Sequence, residues 1–498
     1  MKKMNLLVMS LVSAAALSFS SCSSNDDLTS GGGTQSQADG VYMTLKISGA
    51  TSHGTRTSVT DGKTTTDNGS VAESTITEGM MYIYDGPTCV FRKVITKDMF
   101  ETAPTQTTSG VTKPIKVAVT GAITTGKKYD VYFLANRTNI DNPIAATSIF
   151  TSTTGGADFA TDNKFVMFNQ NDGTKAAAHS KVEFTDAAKS EKSPAAAGEI
   201  KLDRVVARID NPSFAETVTT VTPATDTKTS INVADVVAGI SYEGFAVSNL
   251  NNNSYVMQNW DTKFETLNVK WGEPKYYLPK SDYGTLYNAD GLENFSSKEK
   301  PVSWKYAFEN TTTNADEATA VYFKVKVALT DAAMTASDFK DGTFYRYDGR
   351  LYTSIKAIFD DAATGAISNP FTETSSITPA DVVAKISDAD GKLTTDEAKL
   401  AKFRQDYKIE VYRQGTMYYR WAISDNAYKP FVASDATHTY SVLRNSIYRL
   451  NVTKVSEIGK DVPNGPEPDD PVKNPNFYMN VTVSINPWVL NAQPIELK

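Results

Sequence analysis

Cysteine and histidine are almost missing from this chain. Its 498 residues hold two cysteines, Cys22 and Cys89, and three histidines, His53, His179 and His438, all three in polar surroundings. That poverty excludes a disulfide framework and a Cys/His zinc site. No HExxH, GxSxG or Walker-type loop is present, so the common arrangements for metal-assisted hydrolysis, acyl transfer and nucleotide cradling are absent too. Carboxylates are plentiful, but no pair of them is set by spacing to flank a glycosidic bond. The chain therefore reads as no enzyme, with no cofactor and no metal. A basic stripe is lacking as well. With net charge −7 and pI near 5.3, nucleic acid is excluded as a partner. Heptads are absent, and the one sustained apolar run, Leu6 to Leu17, falls far short of the ~20 residues that span a bilayer.

That run belongs instead to a leader. Met1-Lys2-Lys3 is a short positive start and Phe19-Ser20-Ser21-Cys22 a small-residue stop ending in cysteine, the pattern of a bacterial lipoprotein signal over residues 1–21. Cys22 would then carry lipid such as palmitate and tie the chain to the outer membrane. Ser23 to Gln37 has almost nothing to bury and reads as a tether. With Cys22 taken by lipid and Cys89 alone, a disulfide within the mature chain is impossible.

Val41 to Ser48 alternates without a break, placing Val41, Met43, Leu45 and Ile47 on one face of a half-buried strand. Behind it, Gly49 to Asp67 is a polar loop containing Arg56. Two readings stand: a solvated loop charge, or a site where a trypsin-like enzyme cuts between Arg56 and Thr57. In the second case residues 22–56 leave as a propeptide and take the first strand with them. Each apolar side chain withdrawn uncovers about 1.5–3 kcal/mol of burial, so four leave a cleft worth on the order of 6–12 kcal/mol to a strand that fits. The mature chain would keep 498 − 56 = 442 residues, enough for more than one core.

Abundant Thr and Ser with alternating apolar positions indicates mainly antiparallel sheet. Met81–Tyr84, Cys89–Phe91, Ile115–Val119 and Tyr129–Asn136 read as strands that join the Val41 strand in one sandwich. Lys175 to Gly198 turns to Ala, Lys, Ser and Glu, a weak helix or linker. A boundary near residue 200 follows, giving domains 57–200 and 201–485. The run Glu199–Ile209 follows at that boundary, and strands in the second part are expected at Ile240–Val247, Ala320–Leu329, Tyr407–Tyr412, Met417–Ile423, Tyr440–Val455 and Phe477–Ile485. Thr378-Pro379 opens one short helix through Ile386, and a Thr394–Glu397 capping box opens another through Phe403. The Asp388–Leu393 stretch between them is similar to part of a calcium loop, but its first ligand position would be Ile386, so a turn is expected. Aromatics from Tyr255 to Tyr287, including Trp260 and Trp271, suit sugar stacking or ordinary packing.

After Ile485 a further segment, 486–498, follows a strand that is already complete. Trp488, Leu490 and Ala492 share one extended face, and Pro494 shifts the pattern to Ile495 and Leu497. It can serve as a donor strand of ~10–12 residues reaching about 33–40 Å into a neighbour, or as a last edge strand of its own domain.

Taken in order, the leader ending at Cys22, the strand and Arg56 loop, Tyr129–Asn136, Leu202–Ile209, Leu443–Val452 and Val483–Trp488 carry a resemblance over essentially the whole chain. It resembles the shaft pilins of Bacteroidales fimbriae, the FimA/Mfa-type or type V pilin family, and most of all the major subunits of the Mfa type. The resemblance implies two transthyretin-like β-sandwich domains in tandem, with short helical insertions in the second. It also implies lipoprotein export, removal of the first strand by an arginine-specific surface protease at Arg56, and head-to-tail polymerisation by donor-strand exchange. The implied partners are other copies of the chain, tip and anchor subunits of the fimbria, and a receptor on a host or bacterial surface, in support of adhesion and colonisation. Two other classes stay open: an anchored surface glycan-binding lipoprotein and a fimbrial tip adhesin.

Overall fold

The computed structural model describes residues 40–49, 67–68, 70–101, 115–145, 148–171, 180–214, 233–258, 303–312, 318–372, 376–423, 440–455, 458–462 and 479–489. Within them the chain is mainly β, as its alternation predicts. The first strands are β1 (Val41–Leu45), β2 (Ile47–Gly49), β3 (Asp67–Asn68), β4 (Gly79–Asp85), β5 (Thr88–Ile95), β6 (Ile115–Val119), β7 (Lys128–Ala135), β8 (Ile149–Thr151), β9 (Met167–Asn169), β10 (Ser180–Glu183), β11 (Ala195–Ala196) and β12 (Ile200–Arg204). Two sheets enclose the first core: β11-β1-β6, and β2-β12-β9-β7-β4-β5 with β10 on β7.

In β6 the side chains of Ile115, Val117 and Val119 are buried while Lys116 and Ala118 are exposed, so it is half-buried as its sequence period requires. The inner strands β4 and β7 are buried on both faces. Their second face carries Tyr82 and Tyr84, whose hydroxyls donate to the Ile140 carbonyl and to Asn142 Oδ1 in the loop that covers them. Asn136 ends β7 in a left-handed conformation, φ +59°. Its side chain accepts from Thr77 N and donates to the carbonyls of Thr75 and Phe165, which closes the loop against the sheet.

One expectation needs correction here. Lys175–Gly198 is not a weak helix or plain linker over its described part: β10 and β11 pair with β7 and β1, and helical geometry is confined to one 3-10 turn, Asp186–Lys189. Ser180 and Val182 are buried and Lys181 and Glu183 exposed, a period of two that Ala, Lys and Ser hide. The run Glu199–Ile209 is divided between two sheets. It breaks at Val205-Val206, with β12 in the first sheet pair and β13 (Ala207–Asp210) in another.

The remaining strands are β14 (Ser213–Phe214), β15 (Val237–Ser248), β16 (Asn253–Tyr255), β17 (Trp304–Ala307), β18 (Asn310–Thr312), β19 (Ala320–Leu329), β20 (Phe344–Tyr347), β21 (Arg350–Tyr352), β22 (Glu410–Tyr412), β23 (Thr416–Ala422), β24 (Tyr440–Val442), β25 (Ser446–Val455) and β26 (Met479–Val489). Sheets β15-β19-β23 and β17-β13-β25-β26-β3 share a second core, with Phe245, Phe323 and Met417 from one and Ile209, Tyr448 and Leu450 from the other. The first core takes in Val206 and the second begins at Ala207.

A third apolar cluster lies in the insertion between β19 and β23. The helices Ile355–Ala363, Pro379–Lys385 and Glu397–Tyr407 pack there with β20, β21 and β22, and Phe371 stacks on Phe359 at 4.0 Å. Thr378 and Asp381 cap the middle helix reciprocally. The next helix starts one turn detail later than the Thr394 box suggests. Asp396 is its cap, accepting from Ala398 N and Lys399 N, while the Thr394 hydroxyl is taken by Asp396 N. It also runs on through Tyr407, which is helical and not the start of a strand. The Asp388 loop is a turn, its carboxylate accepting from Asp390 N and Lys392 N.

Candidate functional site

The first strand is the element that sequence reasoning singles out, and its seat has two parts. β1 runs antiparallel to β6, with Val41 opposite Val119, Met43 opposite Val117 and Leu45 opposite Ile115. On its other side it runs parallel to β11, with Met43 beside Ala195. At Lys46 the chain leaves that sheet, and β2 lies parallel to β12 in the facing one, with Ile47 beside Ile200. The single strand expected over Val41–Ser48 is therefore two. The switch costs no hydrogen bonding: Ala197 N–H donates to Thr44 O at 3.3 Å and Ile200 N–H to Lys46 O at 2.9 Å. Lys46 itself reaches out to Glu199 at 3.4 Å.

Alternation survives the crossing because one residue is used to change sheets. Val41, Met43, Leu45 and Ile47 are 4, 0, 0 and 0% exposed and all belong to the first core. Withdrawing this piece would strip partners from β6, β11 and β12 together and open the core along four consecutive side-chain positions. A replacement would need an extended backbone to pair with β6 and β11 and apolar groups at every second residue.

At the other end of the chain, β26 does not stop at Ile485. It continues through Asn486 and Pro487, opposite Ile447 and Ser446 of β25, to Trp488 and Val489, which lie parallel to Asp67 and Asn68 of β3. Trp488 thus sits at the end of a strand of the second sheet pair and is not paired with β1. The chain just after the Arg56 loop and the first part of the tail, Trp488 and Val489, are instead neighbours in one sheet, a closeness that no local pattern signals. Cys22, Arg56 and Thr57 lie outside the described residues, as do Leu490, Ala492, Ile495 and Leu497, the three histidines and the aromatics from Trp260 to Tyr287. Cys89 is a half-buried thiol that donates to Phe91 O. No helix among the described residues is long and apolar enough to cross a membrane.

A buried pair of charges, Arg444 and Glu309, lies beside the start of β25. Just ahead of it, Arg444 is buried, its Nε donating to Glu309 Oε2 at 2.8 Å and its other nitrogens to Ser254 Oγ and the carbonyls of Tyr255 and Val256. Its only local signal is the pair of apolar residues ahead of it, Val442-Leu443. This same stretch falls in the part of the chain that matches a known family. Residues 410–494 match the model for the major fimbrial subunit protein type IV, fimbrillin, C-terminal. This part of the chain is similar to the C-terminal region of the fimbrillins.

The match takes in β22 to β26 and thus two of the motifs behind the resemblance, Leu443–Val452 and Val483–Trp488. No curated protein matches by sequence. Among solved structures, a fimbrilin (FimA) from Porphyromonas gingivalis W83 is 15% identical, with 91% of this chain and 99% of that one covered, at a TM-score of 0.42. A putative cell adhesion protein from Parabacteroides distasonis ATCC 8503 is 11% identical over 90% and 100%, at 0.42. The tip fimbrial protein Mfa3 from Porphyromonas gingivalis is 12% identical over 90% and 100%, at 0.32.

Proposed function

We propose that this fimbrillin-type chain is a structural shaft subunit of a surface fimbria. It is exported as a lipoprotein anchored through Cys22 and cut between Arg56 and Thr57 by an arginine-specific surface protease. Subunits then polymerise as the C-terminal segment of one, Trp488 to Leu497, enters the seat that β1 and β2 have left in the next. The observation that carries this reading is the seat itself. One short piece of chain completes two sheets and fills one core, and its apolar period of two is a pattern that another strand can supply.

The fimbrillin match over residues 410–494 supports a fimbrial role and covers most of the candidate donor. Four side chains at about 1.5–3 kcal/mol each give a joint of about 6–12 kcal/mol before its main-chain hydrogen bonds. Because donor and seat are different surfaces, the contact is heterologous and grows into an open filament. Tip and anchor subunits and a surface receptor are the partners such a filament would meet.

The test is N-terminal sequencing and electron microscopy before and after limited arginine-specific proteolysis. A new N-terminus at Thr57 with filaments appearing supports the reading, and loss of those filaments in a chain truncated before Trp488 identifies the donor. An uncut Arg56, or a cut chain that stays monomeric, favours an anchored glycan-binding lipoprotein; filaments that form without the tail remove the donor assignment.

A further inference from the structure

Between the Arg56 loop and β4 lies one turn of helix, Val71–Ser74, and its residue Glu73 is 1% exposed. A carboxylate so deep needs partners, and they come from both cores. Ser70 caps the turn reciprocally with Glu73: its hydroxyl accepts from Glu73 N, and its own N–H donates to Glu73 Oε2 at 2.6 Å. The carboxylate aimed in this way accepts from Arg208 of β13 at 3.1 Å and from the Tyr306 hydroxyl of β17 at 3.1 Å.

One residue's backbone serves the other core. Arg204 of β12 is 0% exposed; its Nε donates to Glu73 O at 2.9 Å and another nitrogen to Ser74 Oγ at 3.1 Å. Arg204 also donates to Asn445 Oδ1 at 3.2 Å, and Asn445 Nδ2 donates to Asp203 at 2.7 Å. Arg208 continues to Asp210 at 2.7 Å, which accepts from Arg449 of β25 at 2.9 Å, and the Arg208 guanidinium lies 4.8 Å over the Trp304 ring. Three acids, Glu73, Asp203 and Asp210, thus meet three arginines, 204, 208 and 449, where the first core ends and the second begins.

We infer that Glu73 is a pin: it joins the two cores into one cooperative unit, and it holds the chain after the Arg56 loop in place when everything ahead of that loop is removed. The second half rests on the processing proposed above; the first does not. A carboxylate with its guanidinium partners cannot be exchanged for a passing strand, because loss of one side leaves the other buried and uncompensated.

Hydrogen exchange read by mass spectrometry on the full chain, uncut and cut, tests both halves. In the uncut chain Glu73→Gln, which keeps the shape, is expected to speed exchange of residues 203–210 and 445–452 by on the order of a hundredfold and to separate thermal unfolding into two steps. Unchanged exchange and one step would overturn the pin. If Glu73→Gln does not fold, Tyr306→Phe and Ser70→Ala, which each remove one of its hydrogen bonds, must raise exchange at the same peptides. On cutting, before filaments form, residues 70–85 are expected to keep their protection while 115–119 and 195–202 lose theirs; loss at 70–85 would overturn the second half. A chain that is never cut, or is cut and stays monomeric, removes the polymerisation reading and leaves the uncut comparison decisive.

Discussion

The seat of the first strand and the junction around Glu73 are both buried and both bring distant parts of the chain together, yet by opposite means. The seat is apolar, and its polar needs are met by main-chain pairing with β6, β11 and β12. Such a surface asks only for an extended backbone and a period of two, which many sequences satisfy. The junction is made of charged side chains whose partners are fixed in number and direction. The first is replaceable by its nature and the second is not. A protein that exchanges one element while keeping its shape has use for both.

The largest expected effect sets the two apart. Leu45→Asp puts a bare carboxylate into the first core and should destabilise the uncut chain by about 5 kcal/mol or more, read by urea unfolding. After removal of residues 1–56 the same substitution should have no effect on the subunit, whereas junction variants keep theirs. Next comes Glu309→Ala, which leaves Arg444 buried without its carboxylate, at about 3–5 kcal/mol; equal unfolding midpoints would dismiss the pair.

Acid sharpens the comparison further. Burial alone would push the Glu73 carboxyl up, but the Ser70 amide, Arg208 and Arg204 more than offset it, so in the fold it lies below its usual 4.5. A depressed acid contributes stability above its unfolded value and loses it as pH falls through the folded one. The gap between the parent chain and Glu73→Gln should therefore be full at about pH 7 and shrink as pH falls below the usual 4.5; Arg204, Arg208 and Tyr306 face the group, and Asp203, Asp210 and Arg449 surround these, in both chains. A gap independent of pH would sink this. Smallest is Lys46→Ala at the point where the strand changes sheets: its pair with Glu199 is exposed on both sides, and no more than about 0.5 kcal/mol should be lost.

Much of this was open to reading in the linear chain. Ile115–Val119 and Ala320–Leu329 are strands to the residue, because alternation or β-branched and aromatic enrichment marks them. The breaks at Lys46 and at Val205-Val206 were not legible. A strand that crosses from one sheet to the facing one keeps its apolar side inward, so the period runs on while the partners change. The strands β10 and β11 were hidden for a different reason, since Ala195–Ala196 is ordered by its neighbours and by nothing of its own. Of the candidate site, the four apolar positions were visible as a pattern; among the charges only Arg208 interrupts an apolar run, Val205 to Ile209, and Glu73, Arg204 and Arg444 carry no local mark.

The sequence by itself determined the class, the leader pattern and the apolar face of the first strand, all local matters of composition and period. Which strands flank that face, and where its sheet ends, were decided by the tertiary structure. So was the meeting of Glu73 with arginines from β12 and β13 more than a hundred residues away. The physical reason is the same in each case: a period states that a side is buried, and only the folded chain supplies what it is buried against.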